Sequence, residues 1–133
     1  MLGSIILSIG LLLATDGGVS VTDEQKIMTA INEANMIFDQ SAHKTGGHRD
    51  LITDGELTTV VTTATNYLEL ASNLIDSGLV ITDKIYIVFA PGVDVCGVAV
   101  RNLAIVGDPR CWGGREVAHE LIHVMGGLRT ATG

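Results

Sequence analysis

Apolar residues in this chain recur in distinct rhythms, and each rhythm predicts an element. Ile5–Ala14 (IILSIGLLLA) is a nearly unbroken apolar run, the pattern of a buried strand, and the turn sequence Thr15-Asp16-Gly17-Gly18 ends it. From Thr22 onward the apolar residues Ile27, Ala30, Ile31, Ala34 and Ile37 with Phe38 return at three- and four-residue steps. That period predicts a helix to about Ser41, with Thr22 and Gln25 at the spacing of a capping box. His43–His48 (HKTGGH) reads as a loop and Leu51-Ile52 as a short strand. A second helix is expected from Thr53 to about Asp76, where Leu57, Val60, Val61, Ala64, Tyr67, Leu68, Ala71, Leu74 and Ile75 keep helical intervals. The threonines at 58, 59, 62, 63 and 65 work against it, because β-branched side chains lower helix propensity.

The second half of the chain is punctuated more sharply. Lys84–Ala90 (KIYIVFA) is the strongest strand, closed by Pro91-Gly92. Val98–Val106 holds a further strand region, stopped by Gly107-Asp108-Pro109. Gly113-Gly114 then opens a last helix, Arg115–Met125, which Gly126-Gly127 ends. The order β-α-(β)-α-β-β-α, without internal repeats, predicts an α/β (α+β) fold: a mixed twisted sheet with two long helices and a C-terminal helix.

Composition narrows the function classes. A chain of 133 residues reads as one domain, 1–133, able to bury a core without metals or disulfides as staples. A hydrophobic content of 47% excludes a disordered chain. With a net charge of −7 and scattered Lys and Arg residues, the chain lacks the basic surface that nucleic acid requires. The ten-residue run at Ile5–Ala14 is far short of the roughly 20 needed to cross a bilayer. It has the length of a signal-peptide core, but no Lys or Arg precedes it, so a buried strand is the better reading. Cys96 and Cys111 are the only cysteines, and their spacing suits either a disulfide across a hairpin or two buried thiols.

The chemistry-bearing motif is His119-Glu120-Leu121-Ile122-His123. On a helix, positions four apart stack one turn above the other, so both imidazoles address one point in space. Two such histidines suit a zinc ion, and a neighbouring carboxylate can take a proton from water activated there. Val117, Ala118, Leu121, Ile122 and Met125 supply apolar contacts to anchor that helix.

With Gly126 three residues after His123, the segment Ile85–Gly127 resembles the upper subdomain of the metzincin zinc peptidases. In that family HExxHxxG precedes a third ligand, and the glycine lets the chain turn toward it. The stretch Gly97-Val98-Ala99-Val100, followed by Ala104–Gly107, resembles the family's edge strand, along which a substrate backbone lies antiparallel. Ile31-Asn32-Glu33-Ala34-Asn35 resembles part of its long N-terminal helix. The resemblance implies Zn2+ on His119 and His123, Glu120 as general base, and a peptide or protein substrate along Gly97, Val98, Ala99 and Val100. It also implies an extracellular, secreted protein, and that setting favours a Cys96–Cys111 disulfide.

Two departures stand beside the match. Arg129 occupies the third-ligand position and cannot bind zinc, and the sequence ends four residues later, without the lower subdomain and its methionine turn. The third ligand is therefore unknown. His43 and His48 read as loop histidines, and Glu116 as a surface acid, because one helix giving three ligands would be strained. Asp94 and Asp108 read as turn residues, while Trp112 either lines a pocket or covers the start of the helix. Two functions follow as expectations: zinc-dependent endopeptidase, or a catalytically inactive metzincin-derived structural module. The second would self-associate through the apolar N-terminal run as a strand.

Overall fold

A computed structural model describes residues 4–17, 21–44, 48–126 and 130–132, with side chains described over 9–17, 22–38 and 57–126. Its sheet has six strands: β1 (Ser4–Thr15), β2 (His48–Val61), β3 (Ile85–Phe89), β4 (Gly97–Val100), β5 (Leu103–Val106) and β6 (Thr130–Thr132). The spatial order is β2-β1-β3-β5-β4-β6. The first four of these neighbours run parallel, and β4 is antiparallel to both β5 and β6. Helices α1 (Val21–Lys44), α2 (Tyr67–Asp76) and α3 (Gly114–Met125) complete an α/β fold.

Burial alternates along the strands as the pleat demands, and this sorts the core into two halves. Ile9, Leu11, Leu13, Ile87, Phe89, Ala99, Ala104 and Val106 pack against α1 and α3. Leu12, Ala14, Val88, Val98, Val100, Leu103 and Ile105 pack against α2 on the opposite face. The continuous apolar run of β1 follows from this: a parallel strand with a neighbour on each side and helices over both faces has no solvent-facing position to fill with polar residues. Both its edges are already paired, so the run is not an open strand for a second molecule.

The expected α1 is present, with Ile27, Ala30, Ile31, Ala34 and Phe38 buried against the sheet. It begins at Val21, one residue before the expected cap at Thr22. The expected helix from Thr53 is overturned in its first half. Residues 53–61 belong to β2, which takes in Leu51-Ile52 as well, and only Tyr67–Asp76 is helical. The dense β-branched residues decide in favour of the strand. Near Asp54-Gly55-Glu56 the pairing slips, with Ile9 opposite Thr53 and Leu11 opposite Leu57, so three residues of β2 face one of β1. Helix α2 starts where Asn66 accepts a hydrogen bond from the Glu69 amide at 2.8 Å, an N-cap.

The region Val98–Val106 divides into a hairpin, β4 and β5, turning at Arg101-Asn102 with Arg101 at a φ of 53°. The Asn102 side chain donates to the Ile81 and Lys84 carbonyls, fastening that turn to the start of β3. A disulfide joins Cys96 to Cys111. Among the described residues no helix is long and apolar enough to cross a membrane.

Candidate metal and carboxylate site

Helix α3 is set by contacts at its first turn. Asp108 caps the short 3-10 turn Pro109–Cys111 by accepting from the Arg110 amide. The Arg110 guanidinium and that same amide hold the Asp108 carboxyl down at about 2. Trp112 follows, buried, with its indole N–H donating to the Gly107 carbonyl at 2.8 Å and its ring edge-on to Phe89. Of its two expected roles, the structure supports covering the start of the helix. Gly114 then lets α3 pass directly against α1, because a methyl group there would overlap the backbone of Glu33 and Ala34. The Gly114 amide donates to a Glu33 carboxylate oxygen at 3.2 Å, which satisfies a free N–H of the first turn.

From this anchored start, α3 buries Val117, Ala118, Leu121 and Val124 and turns His119 outward. His119 is exposed and His123 half-buried. Their Nε2 atoms lie 3.2 Å apart, with the rings nearly perpendicular. Two nitrogens each ~2.0–2.1 Å from one tetrahedral ion would stand roughly 3.3 Å apart. The pair therefore has the spacing of two corners of a zinc site.

Glu120 lies on the other flank of the helix. It is fully buried, and neither carboxylate oxygen has a hydrogen-bond partner. Gly97, the first residue of β4, makes room for it: a Cβ there would meet Glu116 and Glu120 oxygens at 2.5 and 2.7 Å. Burial first, and then the Glu116 carboxylate beside it, push the Glu120 carboxyl up to about 8. Two ionised carboxylates have no donor between them, and a proton on Glu120 supplies one. Glu116 thus stands with Glu120 over Gly97. Expected as a surface acid, it is instead half-buried, and no group of three His, Cys, Asp or Glu residues capable of holding a metal forms among the described residues. His43, His48 and Arg129 have side chains outside the described residues.

Two features depart from expectation at this site. Gly126 ends α3 in a right-handed conformation with a φ of −76°, so it does not use the left-handed freedom that distinguishes glycine. Strand β4 is not the edge of the sheet. Thr130–Thr132 runs antiparallel along it, pairing Val98 with Thr132, Ala99 with Ala131 and Val100 with Thr130. A three-residue strand with two threonines and no apolar rhythm gave no sequence signal for this element. The carboxylate pair was equally hidden, although Glu116 and Glu120 stand at an i, i+4 interval that places them on one face. Compared with models of known families and with curated proteins, the chain matches none.

Proposed function

We propose that this chain is a zinc-dependent peptide hydrolase domain, with His119 and His123 holding the ion and Glu120 as general base. The observation that carries the reading is the 3.2 Å approach of the two imidazole nitrogens on the outer face of α3. The histidine pair fits a zinc ion in spacing and donor type, and the remaining positions fall to water or to groups outside the described side chains. Bound zinc would supply Lewis-acid polarisation of the scissile carbonyl and acidify water. Glu120 takes the proton of the attacking water and returns it to the leaving amine. In the metal-free protein, burial and the neighbouring Glu116 carboxylate push the Glu120 carboxyl up to about 8. The metzincin resemblance and the Cys96–Cys111 disulfide, which suits an oxidising compartment, support an extracellular enzyme of this class.

Purified protein should bind zinc with a dependence on both histidines, and His119→Ala should remove most of that binding in isothermal titration calorimetry. Glu120→Ala should keep zinc but lower peptide cleavage by about 10²–10⁴-fold, the usual weight of a general base. Cleavage left unchanged by Glu120→Ala would overturn this mechanism.

A second reading, a structural module without catalysis, is favoured by one observation: β6 lies along the strand where a substrate would pair. Zinc binding without cleavage of any peptide, in a protein that elutes as regular assemblies, would support it.

A further inference from the structure

The position of β6 points to a built-in occupant of a peptide-binding edge. An extended peptide is most simply held by adding to a sheet edge, where main-chain hydrogen bonds give affinity. The sheet has two outer margins. One is β2, separated from β4 by β1, β3 and β5. The other is the β4 side, which packs against α3, with Gly97 directly under the Glu116 and Glu120 carboxylates. A peptide brought to the Glu116 and Glu120 carboxylates by strand addition would therefore pair with β4. That margin of β4 is taken by Thr130–Thr132, which among the described residues pairs with β4 alone.

The sequence makes this arrangement reversible. β6 is three residues long with one neighbour, so little ladder holds it, and outer segments of this kind open far more readily than core strands. It begins five positions after Met125, the last residue of α3. Belonging to the same chain, it is present at high effective concentration beside β4 and competes with any free peptide. Its antiparallel direction sets Thr132 opposite Val98, at the end of β4 next to Gly97 and the carboxylates.

We propose that Thr130–Thr132 is an internal stand-in for an extended peptide: β4 is a strand-addition site for peptide main chain, and β6 must leave before a peptide enters. The proposal rests on the hydrolase reading for its functional meaning, but its physical content, competition for β4, can be measured without catalysis.

The test uses the full chain with Ala131→Pro, which removes an amide donor from β6 and leaves β4 intact. Thr130→Pro is a second variant of the same kind, should the first fold poorly by circular dichroism. Hydrogen exchange should accelerate at the β4 amides facing β6 in the variants. A fluorescein-labelled, extended ten-residue peptide of mixed sequence should bind the variants more tightly by anisotropy. If β6 occupies the edge nine-tenths of the time, the gain is about tenfold, because apparent affinity scales with the competent fraction. With zinc present, KM for a quenched fluorescent version of that peptide should fall by the same factor while kcat holds.

Faster β4 exchange with no gain in peptide binding would overturn the proposal. Tighter binding without zinc-dependent cleavage in any form would keep the strand-addition site and remove the hydrolase reading. Cleavage with KM unmoved by either proline would keep the hydrolase and remove β6 as competitor.

Discussion

Gly97 and Glu120 define the site's chemistry at the scale of single residues. A methyl group at 97 meets carboxylate oxygens at the far ends of two flexible side chains, so the helix can stay while the carboxylates are displaced. Gly97→Ala should therefore cost about 1–3 kcal/mol, as overpacking does, measurable as a lower denaturant midpoint. It should also weaken any Glu120-dependent cleavage; an unchanged midpoint would show that the pocket is looser than the contacts imply. The acid itself gives a pH signature. Folding raises the Glu120 carboxyl from its ordinary 4.5 to about 8, so the folded protein keeps a proton that the unfolded chain releases. Between those values folding takes up a proton, and stability must fall as pH rises through the window, with the loss complete above it. Thermal melts of metal-free protein should show a decline from about pH 5 to about pH 8 that Glu120→Gln largely removes. A slope that survives the substitution would assign the effect to other groups.

Among the elements, legibility in the sequence tracked how completely neighbours constrain each one. α1 was readable because one apolar stripe packs on the sheet, and β3 because it is short, apolar and sharply bounded. α3 was readable from its motif and its flanking glycines. β2 was misread as helix for a definable reason. An outer strand has one ladder neighbour and a weaker alternation: Leu57 and Val60 are half-buried and Val61 is 81% exposed. Leu57, Val60, Val61 and Ala64 then mimic helical steps. The correcting signals were present in the threonine density and in Asn66 three residues before Glu69, which marks a helix start well after Thr53. Of the site, the histidine pair was legible because i, i+4 geometry is local. The packing of Glu120 over Gly97 and the pairing of β6 with β4 were not, since each joins residues far apart in sequence through the sheet.

Across the whole molecule, the disulfide is what ties the strand side of the site to the helix side. Cys96 immediately precedes β4, and Cys111 closes the 3-10 turn that leads through Trp112 into α3. The loop between them spans 15 positions and contains the whole β4–β5 hairpin, so the bond restrains, in the unfolded chain, the segment that forms one wall of the site. Loop-closure entropy for that length corresponds to about 3 kcal/mol of stability. In the folded state the same junction is also held by the Trp112 indole bond to Gly107 and by the Gly107 amide donating to the Cys96 carbonyl, neither of which needs the sulfurs. The double variant Cys96→Ser and Cys111→Ser should therefore fold with the same secondary structure but lose about 3 kcal/mol in urea denaturation. The β4 amides that face β5 should stay protected from hydrogen exchange until global unfolding. If the variant keeps full stability, the bond contributes nothing beyond the sheet. If β4 instead exchanges early while the rest of the sheet holds, the disulfide is what keeps Gly97 seated under Glu120, and reduction would disable the site before it unfolds the domain.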